Sequence, residues 1–207
     1  LKTLCDGTSG VMMYMEIQEG KVRMNRKKWH QQHGATTACT LRCLEESGHA
    51  QKDRRPEERE PRTCGGDSWF AGLRTTRACD EEFGIKFIGP VKTNTKGFPR
   101  DAIRHTLHGT PRGTHIVFEE RDPQDEKTGV YAIGWNDHWY KGFITNFGSV
   151  AAGKPANKKR QRTEDGRNYF TPVARPSNLE HYYEIAGYVD RHNRYRQSML
   201  RLHKIWK

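Results

Sequence analysis

The chain has 207 residues, 33% hydrophobic and 29% charged, with 36 Lys and Arg against 25 Asp and Glu for a formal net charge of +11. That length holds one domain, or one domain with a sizeable insertion, and the charge favours a polyanionic partner, nucleic acid ahead of an acidic membrane surface. No apolar run approaches the roughly 20 residues of a membrane span, and no basic segment leading into an apolar stretch marks a secretory leader.

Residues 1–6 and 10–18 are short β-type runs, and Gly7-Thr8-Ser9-Gly10 between them predicts a hairpin. The opening Leu1-Lys2-Thr3-Leu4 lies inside a strand and has no Met, so the chain reads as part of something longer. Residues 21–34 are basic and polar and are expected to be irregular. Over 35–47, Ala35, Ala38, Cys39, Leu41 and Leu44 recur at helical spacing, and Gly48 stops the segment. The charged, proline-bearing stretch 50–62 is a loop.

Thr63-Cys64-Gly65-Gly66-Asp67 reads as a short strand running into a turn. A helix is expected from Ser68 to about Glu82, with Trp69, Phe70, Leu73, Ala78 and Phe83 apolar and Gly84 as its stop, followed by a buried strand at 85–88. Strands and helices alternating in this way predict a mixed sheet flanked by helices. Residues 92–100 form a basic loop containing Gly97 and Pro99. Strand-like runs follow at 114–121, 130–135 and 139–147, and 148–171 is poor in apolar residues and contains Lys158-Lys159-Arg160-Gln161-Arg162. The stretch 101–172 therefore reads as a small β-rich insertion with a basic loop, between a first core segment (1–100) and a returning helix (173–207).

That helix is expected over about 178–205. Ile185, Val189, His192, Tyr195, Met199, Leu202 and Trp206 form its apolar stripe, and Ser177 with Glu180 forms a capping box after Pro172 and Pro176. The cysteines, Cys5, Cys39, Cys43, Cys64 and Cys79, contain no CxxC pair, which argues against a zinc knuckle; they read as reduced thiols of an intracellular protein.

Three acids stand out by position. Asp6 closes the first strand, Asp67 follows a strand and opens the predicted helix, and Asp190 lies within the last helix. Phosphodiester cleavage is well served by two divalent ions roughly 4 Å apart, held by carboxylates that converge from different elements. Position alone does not separate such acids from solvated or capping ones, and Asp67 fits an N-cap equally well.

The words around these acids resemble the piggyBac transposase family. They are Leu4-Cys5-Asp6-Gly7-Thr8-Ser9-Gly10, Asp67-Ser68-Trp69-Phe70-Ala71, the run Gly84-Ile85-Lys86-Phe87-Ile88-Gly89-Pro90-Val91-Lys92-Thr93-Asn94, and Gly187-Tyr188-Val189-Asp190 four residues after Tyr183. The tail His203-Lys204-Ile205-Trp206-Lys207 also fits, so the resemblance spans nearly the whole chain in order.

The resemblance implies an RNase H-like α/β core, interrupted by an insertion before the last helix, that cuts and joins DNA strands with Mg²⁺ or Mn²⁺. Asp6, Asp67 and Asp190 would be its catalytic, metal-holding acids. Family members often carry a fourth acid three residues after the third; Asn193 stands there and would ligate only weakly through its amide oxygen. DNA would be the partner, as transposon ends and target, with a homodimer in the full-length protein and a nuclear location. The family's N-terminal DNA-binding and dimerisation regions and its Cys-rich zinc module lie outside the stretch matched.

Lys92, Lys96 and Arg100 are expected to contact phosphate beside the core. Lys158, Lys159, Arg160 and Arg162 suit a phosphate-binding loop or a nuclear-import patch. Trp135, Asp137, His138 and Trp139 fit an aromatic DNA wedge but suit packing of a β insertion better. His105 and His108 lack further ligands for a metal. Two further readings stay open: a domesticated DNA-binding protein without activity, and an RNase H-like nuclease of another kind, such as a junction resolvase.

Overall fold

The structure, a computed structural model, describes residues 1–92, 94–122, 125–159 and 170–199. Its centre is a five-stranded mixed sheet in the order β3-β4-β7-β6-β5, made of β3 (Arg62–Gly65), β4 (Ile85–Pro90), β5 (His115–Asp122), β6 (Asp125–Asn136) and β7 (Tyr140–Thr145). β3 and β4 run parallel; every other neighbouring pair is antiparallel. A sheet of this kind with helices on both faces matches the RNase H-like α/β class expected from the sequence.

Strand alternation sorts the core into two layers. On one face, Cys64, Ile85, Phe87, Val130 and Ile144 pack beneath α2 (His30–Glu46) and α3 (Leu73–Phe83), through Leu41, Leu44, Ala78, Cys79 and Phe83. α4 (Arg100–Leu107) joins the same face, because Ile103 and Leu107 press on the spot where Gly134 has no side chain. On the other face, Ile88, Ile133, Trp135 and Phe143 meet Leu179 and Tyr182 of α5 (Ser177–Met199). A separate hairpin, β1 (Lys2–Cys5) with β2 (Met12–Glu16), lies beside α2, and a two-stranded pair, β8 (Ala156–Lys159) with β9 (Phe170–Val173), precedes α5. The hairpin leaves Val11, Met12, Met13, Met15 and Ile17 exposed.

Strands β5, β6 and β7 fall in the stretch read from sequence as an insertion, and they pair into the core sheet through β4–β7. Within 101–172, β8 and β9 are the strands outside that sheet.

Several local expectations are corrected. Residues 21–34 contain a short helix, α1 (Lys21–Arg26), and the start of α2, which is kinked at Gly34. α1 buries no residue, so no apolar period marked it. The helix expected from Ser68 starts only at Leu73, because Asp67 first closes a turn in which Phe70 N and Ala71 N both donate to the Asp67 carbonyl. Glu180 does not close a box on Ser177; its Oε2 accepts the Lys154 N–H at 3.3 Å. The buried side of α5 is Leu179, Tyr182, Ile185 and Ala186, while Val189 from the expected stripe is 37% exposed and the stripe's last members, Leu202 and Trp206, lie outside the described residues.

Two clips fix the layers. At one end of the sheet, Asn146 accepts from Phe87 N at 2.8 Å and donates to Asp80 Oδ2 at 3.1 Å, and Lys86 Nζ reaches the same oxygen at 2.7 Å. Between β2 and α2, Arg42 forks onto Glu16, with Nε–Oε2 at 2.6 Å and Nη2–Oε1 at 2.9 Å, and its Nη1 donates to Lys28 O at 2.7 Å. Glu16 and Arg42 are 3% and 6% exposed, so this is a buried pair.

Gly89 sits where β4 passes the turn that carries Asp67. A β-carbon there would lie 2.6 Å from the Gly66 carbonyl oxygen and 2.9 Å from the Ala71 Cβ. Backbone cannot retreat as a side-chain tip can, so Gly89→Ala is expected to lower the unfolding free energy by about 1–3 kcal/mol and to push the Gly66–Asp67 turn outward. Urea unfolding of the variant checks the first effect; a midpoint matching the parent would contradict this account of the contact.

Candidate active site

The strand directions place one edge of the sheet apart from the rest. Gly65 pairs with Ile88, Pro90 with Phe143, Asn136 with Tyr140, and His115 with Trp135. The end of β3, the loop after β4, the β6–β7 turn and the approach to β5 therefore all emerge on the same side. Asp67 follows β3, Lys92 follows β4 and Arg100 opens α4 after the same loop, while α5 packs against β3.

Asp67 is exposed, and its Oδ1 accepts the Trp69 N–H at 2.7 Å, so the carboxylate is held by its own turn and points outward. Trp69 and Phe70 stack edge to face at 4.8 Å, with Lys2 Nζ 3.7 Å above the indole. Asp190 is exposed on α5. What links these two acids is Tyr182. Burial, then Tyr183, then the negative charges of Asp67 and Asp190 push its hydroxyl pKa up to about 12. Two acids 123 positions apart thus bear on one phenol, because α5 docks over the end of β3. Gly65 allows that docking: a β-carbon there would overlap the Ile185 side chain.

Asp6 occupies a different setting. Its Oδ2 accepts from Ser9 N at 2.5 Å, Ser9 Oγ at 2.8 Å and Thr8 N at 2.9 Å. These bonds, that from the Ser9 backbone foremost, hold its carboxyl below the usual range. The turn it closes touches the same helix, since the Gly7 position faces Ile185 and the Gly10 position faces Tyr188. Among the described residues, no three His, Cys, Asp or Glu side chains stand close enough together to hold a metal ion. Asn193 lies in α5, and its side chain is outside the described residues.

Of the basic residues, Lys92 and Lys96 are exposed, Lys96 lining a cleft of about 300 Å³ with Leu73, Phe98 and Phe118. Arg100 is partly buried and its Nε lies 3.1 Å from Asp101 Oδ1. Lys158 and Lys159 lie in β8, with their side chains outside the described residues, as are Arg160 and Arg162 altogether. His105 and His108 are exposed, and all five cysteines are free thiols.

Sequence reasoning missed Tyr182 and Tyr183 as site residues, and the clamp around Asp137. Asp137 is buried and accepts from Arg112 Nη2 at 2.7 Å and Lys141 Nζ at 2.9 Å. Trp135, read with its neighbours as packing or wedge, is fully buried and donates through Nε1 to Ala174 O at 2.7 Å.

A family model described as Transposase IS4 matches residues 1–207. The chain belongs to this transposase family. No curated protein matches the chain, and no solved structure matches it. A transposase acts on DNA, and the net charge of +11 suits a polyanionic partner.

Proposed function

We propose that this transposase-family chain is the catalytic core of a piggyBac-type cut-and-paste enzyme, in which Asp67 and Asp190 work together on the DNA backbone. The observation that carries the reading is the packing of α5 on the end of β3, where Ile185 and Tyr182 lie over Gly65, two residues before Asp67 and on the helix that carries Asp190. Two carboxylates with open positions suit Mg²⁺ or Mn²⁺, because Mg²⁺ is commonly held by one or two carboxylates, waters and substrate phosphates. When bound, the ion would supply Lewis acidity to the attacking and leaving oxygens.

The chain's own residues do the rest. Asp67 and Asp190 would hold the cation. Tyr182, protonated at neutral pH, packs into the core beneath α5. Lys92, Lys96 and Arg100 are assigned to phosphates flanking the scissile bond. Asp6 is assigned to the hairpin turn that supports α5, since one of its oxygens already accepts three hydrogen bonds. Dimerisation and nuclear entry belong to the same proposal, the latter through Lys158–Arg162.

Nicking of supercoiled plasmid DNA tests the reading. It is expected to require Mg²⁺ or Mn²⁺, to stop on chelation and to resume when the metal is restored. Asn193, standing where the resemblance implies an acid, favours a second reading, a DNA-binding descendant without activity. Salt-sensitive DNA binding with no nicking in either metal would establish that second reading and overturn the first.

A further inference from the structure

Trp139 is 76% exposed at the tip of the turn joining β6 to β7. Its ring meets His138 edge to face, with centroids 5.6 Å apart, and His138 is itself exposed. Packing of a β insertion accounts for Trp135 but not for Trp139, which has left the core.

The turn beneath it is not loose. Arg112 from the segment before β5 and Lys141 from β7 both pair with the buried Asp137 carboxylate, and Asn136 donates to Thr110 O at 2.8 Å. Two cations on one carboxylate leave this clamp with a net positive charge. Arg104, Arg100 and the Asp101 paired with Arg100 lie within electrostatic reach of the next residue, Tyr140, a net positive set. An exposed indole is thus carried on a turn anchored by a net positive clamp, the arrangement that suits a base stacked beside its own phosphates.

Its position ties it to the acids. The β6–β7 turn leaves the same sheet edge as Asp67, two to three strands across. From strand spacing and rise, the separation is on the order of 15–20 Å, or about five base-pair steps at 3.4 Å each. The link is also made through α5: Tyr182 senses Asp67 and Asp190, while Tyr183, the next residue, senses Asp137 and accepts from Lys141.

We propose that Trp139 stacks on an unpaired nucleobase of bound DNA, about five base-pair steps from the Asp67–Asp190 pair. The inference rests on the DNA-processing reading for the identity of the polymer and names the form of DNA this edge takes: duplex with a locally single-stranded segment.

The test uses the full chain and two probes, a blunt duplex and the same duplex with an unpaired end carrying the fluorescent base 2-aminopurine. Binding of the parent chain is expected to quench the fluorescent base. Trp139→Ala should abolish the quench and weaken binding of the unpaired probe about 5- to 100-fold, the contribution of one base–aromatic stack. It should leave blunt-duplex affinity and the thermal midpoint unchanged, and Trp139→Phe should keep most of the quench. Loss of affinity that is equal on both probes, or a quench that survives Trp139→Ala, overturns the inference. The two readings fail separately. A Trp139-dependent quench in a chain that never nicks DNA would remove the enzyme reading alone. Metal-dependent nicking with no such quench would remove this one alone.

Discussion

Arg42→Ala is expected to lower the unfolding free energy by about 3–5 kcal/mol, the usual consequence of stranding one member of a buried ion pair. The loss is large because Arg42 satisfies both Glu16 oxygens and the Lys28 carbonyl at once, and its removal leaves a buried carboxylate with only the weaker pull of Lys27. The pH dependence carries the sign. Burial by itself would raise the Glu16 carboxyl, but the Arg42 hydrogen bonds and charge outweigh it and hold the group below its ordinary value. Glu45, half-buried and bonded by Lys28, Lys52 and Trp29 Nε1, is likewise lowered, to about 2. Groups depressed in the folded state contribute stability above their unfolded value of about 4.3 and lose it as pH falls through the folded one. In the variant the sign inverts for Glu16, because the unpaired carboxylate is now easier to protonate. The gap between parent and Arg42→Ala should therefore be widest near neutrality and narrow as pH falls toward about 4.3. Denaturant unfolding at neutral and acid pH measures this, and a gap that widens in acid would refute it.

The second large effect concerns the acids. Asp67→Asn and Asp190→Asn should each reduce metal-dependent nicking by about a thousandfold. Such a loss reflects several kcal/mol of transition-state charge stabilisation, at about 1.4 kcal/mol per tenfold. Both carboxylates are exposed and neither is part of the core, so thermal midpoints should hold. Asp6→Asn separates the two views of the first acid. If Asp6 holds its turn, the amide oxygen still accepts from Thr8 and Ser9, and nicking should fall by less than about tenfold, near 1.4 kcal/mol. A collapse equal to that of Asp67→Asn would restore Asp6 to the metal-holding set and show that the turn rearranges when DNA binds.

Much of this architecture was legible in the sequence, and the gaps have physical reasons. The hairpin at Gly7–Gly10, the Leu41/Leu44 helix and the 85–88 strand each carry a local period or a glycine stop, and each was found. α1 carries no apolar period because it buries nothing. The run Ser68–Gly72 looked helical because Trp69 and Phe70 are apolar, yet both serve a turn capped by Asp67. Strand runs at 114–147 were found, but apolar alternation does not name a partner strand, so their pairing with β4 through Pro90 and Phe143 was not. At the candidate site, Asp6, Asp67 and Asp190 were all named from their sequence words. Tyr182 carried no sign beyond its place on a helix face, and the Asp137 clamp depends on contacts 25 positions apart.

The consecutive tyrosines of α5 make that helix a common shaft for the two ends of the edge. Neighbouring residues on a helix point about 100° apart, so Tyr182 and Tyr183 fix its rotation from two directions, one on Phe143 and the Gly65 end of β3 and one on Trp135 next to the Asp137 clamp. A twist of the shaft cannot relieve one contact without loading the other. DNA gripped at Trp139 would thus be registered mechanically against the cutting position, with α5 as the gauge that sets the interval.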